Sequence, residues 1–164
     1  METCLYLVAT PIGNLDDITF RALEILKKVD IVACEDTRKT SRLLSHFKIK
    51  KKLVSLHQHN EKNKTEFLIN KLLNGNLIAF VSDAGTPALS DPGAFLVNQA
   101  LEQKIKVSPI PGSSSITSAF SVSGIQTTQF KFYGFLPNTS GKCKKVLEEI
   151  YNQDLPTIIF ESPH

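Results

Sequence analysis

Three short segments carry the residue types that let a backbone wrap a small molecule: Thr10-Pro11-Ile12-Gly13-Asn14, Ser82-Asp83-Ala84-Gly85-Thr86-Pro87 and Pro111-Gly112-Ser113-Ser114-Ser115. Glycine permits close backbone approach and positive φ, and proline stiffens the loop around it. Taken singly, each segment is a tight turn. Three together, each directly after an apolar run, favour a ligand at one edge of a sheet. None contains the Gly-Lys-Ser/Thr of a phosphate cradle, and none is a G-x-G-x-x-G fingerprint. Glu35 follows Gly13 by about twenty residues, the place of a ribose-binding acid in dinucleotide folds, but without their glycine pattern. A nucleoside-like ligand without phosphates fits best. S-adenosylmethionine is such a ligand: it asks for backbone partners at adenine and ribose and polar groups at its amino-acid end.

The elements that must position these loops alternate between strand and helix. Residues 5–9, 31–33, 53–56, 77–81 and 106–110 are short apolar or β-branched runs, and the first and fourth are nearly continuous, as in strands covered on both faces. Between them, Ala22, Leu23, Leu26 and Val29 share a helical face, with Thr19 or Asp17 placed to cap it. Leu68, Ile69, Leu72 and Leu73 form a second stripe closed by Gly75. Asp91-Pro92 reads as a cap followed by proline at the first helical position, with Ala94, Val97, Ala100 and Leu101 inward. The pattern predicts an α/β fold: a parallel-rich five-stranded N-terminal lobe with helices on both faces. The texture changes after Gly124. Residues 130–135 predict a strand, 142–151 an amphipathic helix with Val146, Leu147 and Ile150 inward, and 157–160 a last strand. The expected division is 1–124 and 125–164, the second piece being the start of an incomplete α/β lobe.

Composition adds little beyond a globular class. The net charge of +3, from 19 basic and 16 acidic side chains, is compatible with an RNA partner without requiring one. Cys4, Cys34 and Cys143 are scattered and odd in number, which suits a reducing cytoplasm rather than a disulfide framework. No apolar run approaches membrane-spanning length, so no membrane partner is expected.

Beyond the loops, an ordered set of motifs resembles one family. Thr10-Pro11-Ile12-Gly13-Asn14-Leu15 with Asp17-Ile18-Thr19 and Arg21-Ala22 opens the set, and Glu35-Asp36-Thr37-Arg38 and His57-Gln58-His59-Asn60-Glu61 continue it. Ser82 to Pro87, Ser90-Asp91-Pro92-Gly93, Pro109-Ile110-Pro111-Gly112, Gly134-Phe135-Leu136-Pro137 and Glu161-Ser162-Pro163-His164 complete it. In that order they are similar to the small-subunit ribosomal RNA methyltransferase I branch of the tetrapyrrole (corrin/porphyrin) methylases. The resemblance covers essentially the whole chain. It implies a bilobal fold and S-adenosylmethionine as methyl donor. It also implies a cytidine ribose 2′-hydroxyl of 16S rRNA in the small ribosomal subunit as acceptor, and a homodimer. The donor contacts it implies are Thr10, Pro11, Ile12, Gly13, Ala84, Gly85, Thr86 and Leu89, with Ser115 and Ile116 after the fifth strand. Relatives more often have Pro-Ser-Ala where this chain has Ser113-Ser114-Ser115, and they continue for about another domain's length beyond His164, so a truncated second lobe is expected.

For transfer to a ribose hydroxyl, the candidate bases are Asp36, Glu35, Asp83 and His59. Glu35-Asp36-Thr37 reads equally as a capping cluster for the helix through Leu43 and Leu44. Arg38, Lys39 and Arg42, with His59, are the expected RNA contacts; a solvated helix face competes. His57 and His59 would point the same way on a strand, but no third ligand stands at metal spacing, and no metal is expected. Two rivals remain: a relative acting on a tetrapyrrole or other small acceptor, and an inactive fragment lacking its second lobe.

Overall fold

The computed structural model describes residues 3–89 and 92–161. Two compact units divide the chain at Met1–Ser114 and Ser115–His164, ten residues before the change of texture at Gly124.

The first unit is a five-stranded, all-parallel sheet of order β3-β2-β4-β1-β5. Its strands are β1 (Cys4–Val8), β2 (Ile31–Cys34), β3 (Lys52–Ser55), β4 (Ile78–Val81) and β5 (Lys106–Ile110). Four helices connect them in turn: α1 (Phe20–Lys28), α2 (Thr37–His46), α3 (Glu61–Leu73) and α4 (Ala94–Glu102). Because side chains alternate along a strand, each strand feeds both faces. Cys4, Val8, Val32, Cys34, Ala79 and Val81 pack with Ala22, Leu26 and Leu44 of α1 and α2. Leu5, Ile31, Ala33, Ile78 and Phe80 pack with Leu68, Leu72, Leu96 and Ala100 of α3 and α4. The central strands β2 and β4 are buried at every residue, which explains their unbroken apolar runs.

This arrangement fixes where the loops go. The chain runs from β1 through β2 to β3 with helices on one face, then returns through β4 to β5 with helices on the other. The loop leaving β4 therefore turns away from those leaving its neighbours β1 and β2. That divergence opens a crevice at the carboxyl ends of the strands.

Local sequence accounts for most boundaries. Thr19, rather than Asp17, caps α1 by accepting from the Ala22 N–H at 3.1 Å; Asp17 lies in a preceding 3-10 turn, Leu15–Asp17. The end of α3 is closed by Gly75 N–H to Leu72 C=O at 3.0 Å and Asn76 N–H to Lys71 C=O at 3.1 Å. Two expectations need correction. On α3, Leu73 is exposed and Thr65 joins the buried stripe instead. On α4, the helix begins at Ala94 after Gly93, so Pro92 precedes it, and Asp91 lies outside the described residues. Its inward residues are Leu96, Val97 and Ala100, while Ala94 and Leu101 face out. Val97 and Ala100 thus face inward as expected, and Leu96 takes the place of Ala94 and Leu101.

The second unit begins with α5 (Ser115–Ser121) and continues through β6 (Lys131–Phe135), α6 (Ser140–Tyr151) and β7 (Thr157–Phe160). β6 and β7 pair in parallel, with Tyr133 bulged out of the register. The Phe160 ring meets Phe132 and Phe135 edge-on, at centroid distances of 4.9 and 5.5 Å. Cys143, Val146 and Ile150 form the half-buried stripe of α6, whereas Leu147 is exposed.

Candidate functional site

The loops after β1, β4 and β5 are locked to one another by backbone and hydroxyl groups. Thr10 and Gly85 exchange both backbone hydrogen bonds, at 3.0 and 2.9 Å, as an isolated antiparallel bridge. The buried Thr10 hydroxyl donates to the Ser82 carbonyl at 3.2 Å, and the Ser82 hydroxyl sits 3.1 and 3.3 Å from the Ala84 and Gly85 carbonyls. Thr86 then donates to the Ser113 carbonyl at 3.4 Å, and Ser113 to that of Asp17 at 3.3 Å. Gly85 is required here: its φ is +80°, and a Cβ would stand 3.3 Å from Ile12 Cγ2. Ile12 and Leu89 keep 37% and 45% of their surface exposed beside this scaffold, so it presents apolar patches as well as polar backbone. Nearby Ala88 holds a left-handed φ of +64°, local strain within the same loop.

Next to the bridge lies a cleft of about 290 Å³ lined by the Thr10–Pro11 corner, Leu15, Ser82 and Asp83, and by Lys39, Thr40, Arg42 and Leu43 of α2. It occupies the crevice made by the diverging β4 loop. The start of α2 is an ionic cluster. Asp36 caps the helix, accepting from Arg38 N–H at 2.8 Å, and holds the Arg38 guanidinium through both carboxylate oxygens at 3.1 and 2.8 Å. The Arg38 side chain, through its hydrogen bonds and charge, keeps the Asp36 carboxyl well below the usual carboxylate range. Asp83 joins α2 to the β4 loop: one oxygen accepts from Asp36 N–H at 3.2 Å, and the other meets Lys39 Nζ at 2.8 Å. That pairing pushes the Lys39 ammonium up. Cys34, fully buried beneath, has its thiol raised by burial, partly offset by the Thr40 hydroxyl.

The residues expected from sequence thus fall into groups. Thr10, Pro11, Ile12, Gly13, Ala84, Gly85, Thr86 and Leu89 come from two loops that the fold ties together. Ser115 and Ile116 open α5 in the second unit, where Ile116 is buried. Asp83, Lys39 and Arg42 line the cleft, whereas Glu35, Asp36 and Arg38 are absent from its lining. His57 and His59 lie beyond β3 in a turn, not on a strand, with ring centroids 5.9 Å apart. Asn60 orders that turn: its Oδ1 accepts from His57 N–H at 2.9 Å, which leaves its amide nitrogen 3.1 Å from His57 Nε2. Glu61 accepts from Gly93 N–H at 2.8 Å and so ties this turn to the start of α4. Among the described residues no group of three or more His, Cys, Asp and Glu side chains can hold a metal ion. Thr40 and Leu43 are lining residues that sequence reasoning missed, and Leu15 and Ser82 entered it as members of motifs but not as site residues. For Leu43 a signal existed, since it lies four positions after Lys39 on the same helix.

Comparisons with known proteins agree with this architecture. The family model of the Tetrapyrrole (Corrin/Porphyrin) Methylases matches residues 4–164. The Ribosomal RNA small subunit methyltransferase I proteins of Halalkalibacterium halodurans and Vibrio cholerae are each 51% identical over 98% of this chain, which covers 55% and 56% of their length. The protein of that name from Borrelia garinii is 47% identical, and the chain covers 71% of it. The chain therefore spans little more than half of the first two relatives. In three dimensions, diphthine synthase superposes with a TM-score of 0.74 at 19% identity, over 99% of this chain and 65% of that one. Uroporphyrin-III-C-methyltransferase from Thermus thermophilus gives 0.60 at 21% identity, over 84% and 61%. These two likenesses show the fold; the sequence matches show the lineage. The chain belongs to the tetrapyrrole (corrin/porphyrin) methylases and, within them, to the group of the ribosomal RNA small subunit methyltransferase I proteins.

Proposed function

We propose that this chain takes S-adenosylmethionine at the interlocked loops of its first unit. It serves methyl transfer to the ribose 2′-hydroxyl of a cytidine in small-subunit 16S rRNA, in the cytoplasm and as a homodimer. The supporting observation is the Thr10–Gly85 bridge beside a cleft lined by Lys39, Arg42 and Asp83, in a chain half identical to proteins bearing that name.

The loop residues fit such a donor. Segments 10–13 and 84–89 contain no lysine or arginine, so they offer no grip for a phosphate chain. They offer backbone groups, the hydroxyl of Thr86 and the exposed side chains of Ile12 and Leu89, suited to a nucleoside with a small polar tail. When bound, the donor supplies an electrophilic methyl group. The chain's own contribution is to hold the acceptor in line with it, from which much of the acceleration of a two-substrate displacement comes. Asp36 is committed to Arg38 and to its cap, and Asp83 to Lys39 and the Asp36 amide, so Asp83 holds the cleft wall and Asp36 braces the start of α2 behind it. Both serve as structure first and as proton acceptors second.

Incubation with labelled S-adenosylmethionine and unmodified small ribosomal subunits tests this reading, with uroporphyrinogen III as the competing acceptor. Label in a cytidine 2′-O-methyl group is the expected result. Label in the tetrapyrrole alone would transfer the chain to the small-acceptor branch.

A further inference from the structure

Sequence alone presents three cations of α2 as equivalent, and the structure separates them. Arg38 is bound through both its Nε and Nη2 to Asp36. Lys39 lines the cleft, but its ammonium is 2.8 Å from Asp83 Oδ2, and a second donor holds the other oxygen of Asp83. Arg42 lines the same cleft one turn further along α2, and among the described residues no hydrogen bond or ion pair engages its guanidinium. Lys39 and Asp83 cancel within the lining, so the charge left facing the cleft is that of Arg42.

We propose that Arg42 alone of these three is the cleft's phosphodiester contact for the RNA acceptor, and that Lys39 is a positioning residue that ties α2 to the β4 loop through Asp83. The proposal rests on the RNA reading of the previous subsection. An arginine fork matches a phosphate oxygen pair and cannot lose its charge near neutral pH. A lysine already neutralised by a carboxylate has no net charge to exchange for counterions. An unengaged cation is also a partner for the donor's carboxylate. A phosphodiester is favoured because Arg42 belongs to α2, whereas the residues expected to hold the donor belong to the loops after β1 and β4, which are tied to each other.

The salt dependence of binding separates the roles. Removing one cation that neutralises a phosphate lowers the slope of log affinity against log salt by about 0.7–0.9. Binding of the chain to a fragment of small-subunit rRNA is measured over a range of salt for wild type, Arg42→Gln, Arg42→Lys and Lys39→Gln. The expected result is a slope reduced by about that amount in Arg42→Gln, retained in Arg42→Lys and unchanged in Lys39→Gln. In parallel, Lys39→Gln shifts the thermal melt and Arg42→Gln does not. An unchanged slope in Arg42→Gln, or a reduced one in Lys39→Gln, overturns the assignment while leaving the RNA reading intact. If Arg42→Gln instead weakens S-adenosylmethionine binding with the RNA slope unchanged, the guanidinium belongs to the donor carboxylate and the proposal fails. Wild-type binding that does not respond to salt removes the RNA reading, and the proposal with it.

Discussion

At the scale of single residues, Asp36 carries two loads at once, a helix cap and a fork around Arg38. A carboxyl depressed in the folded state contributes stability that is fully present above its unfolded value of about 3.9. That contribution is lost as pH falls toward the folded value. Asparagine keeps the cap and loses the ion pair. Wild type is therefore expected to melt above Asp36→Asn at about pH 6, with the two curves converging as the pH drops well below about 4. A difference that persists unchanged into acid would show that the ion pair adds nothing. The cysteines give a second test. Cys4 and Cys34 are buried and Cys143 is partly open, and burial holds the Cys34 thiol up. Under native conditions a thiol reagent should modify Cys143 alone, and the other two only on unfolding. Early labelling of Cys34 would contradict the packing described beneath α2.

At the scale of elements, several turns place side chains where glycine is the easier residue. Lys48 and Lys104 sit at φ of +55° and +56° directly after α2 and α4, and Ala88 at +64° in the β4 loop. The left-handed conformation costs a side-chain-bearing residue about 1–2 kcal/mol, part of which glycine returns as unfolded-state entropy. Lys48→Gly and Lys104→Gly are each expected to add about 0.5–1 kcal/mol, a rise of about 1–4 °C in melting temperature. Ala88→Gly should stabilise similarly, and any accompanying loss of donor affinity would identify the strain as functional. The reverse case is Gly93, at φ +114°, where a Cβ would collide with the Phe80 ring in the middle of β4. Gly93→Ala combines overpacking with backbone strain, an expected loss of about 2–5 kcal/mol. These same turns show where sequence was readable. Thr19 as a cap and Gly75 as a stop follow from residue type alone. Lysines in left-handed caps do not, because nothing in their side chains announces the geometry. The start of α4 escapes a reading by residue type because Asp-Pro is a strong helix opening, whereas the chain first turns at Gly93 and enters the helix at Ala94.

At the scale of the whole molecule, the five strands and the helices on both faces were legible from alternating period, whereas the order β3-β2-β4-β1-β5 was not, because it is set by which strands pair in three dimensions. The three loops were legible as a group because parallel strands put all their carboxyl-end loops on one edge. The Lys39–Asp83 pair was not, because it joins residues distant in sequence through tertiary structure alone. The two units also differ in burial. The first holds both hydrophobic clusters, whereas Ile116 and Gly134 are the only buried residues described in the second. Amides of β6, α6 and β7 are therefore expected to exchange with solvent well before those of β1, β2 and β4. Uniform protection across the chain would contradict that ranking.

Calorimetric titration with S-adenosylmethionine, with ATP and NAD as controls, tests most directly whether the loops after β1 and β4 form the proposed nucleoside-donor site. Saturable binding of S-adenosylmethionine alone is expected, weakened about tenfold or more, roughly 1.4 kcal/mol, by Gly85→Val. Absence of binding to a folded sample, or equal binding of ATP, would contradict that assignment.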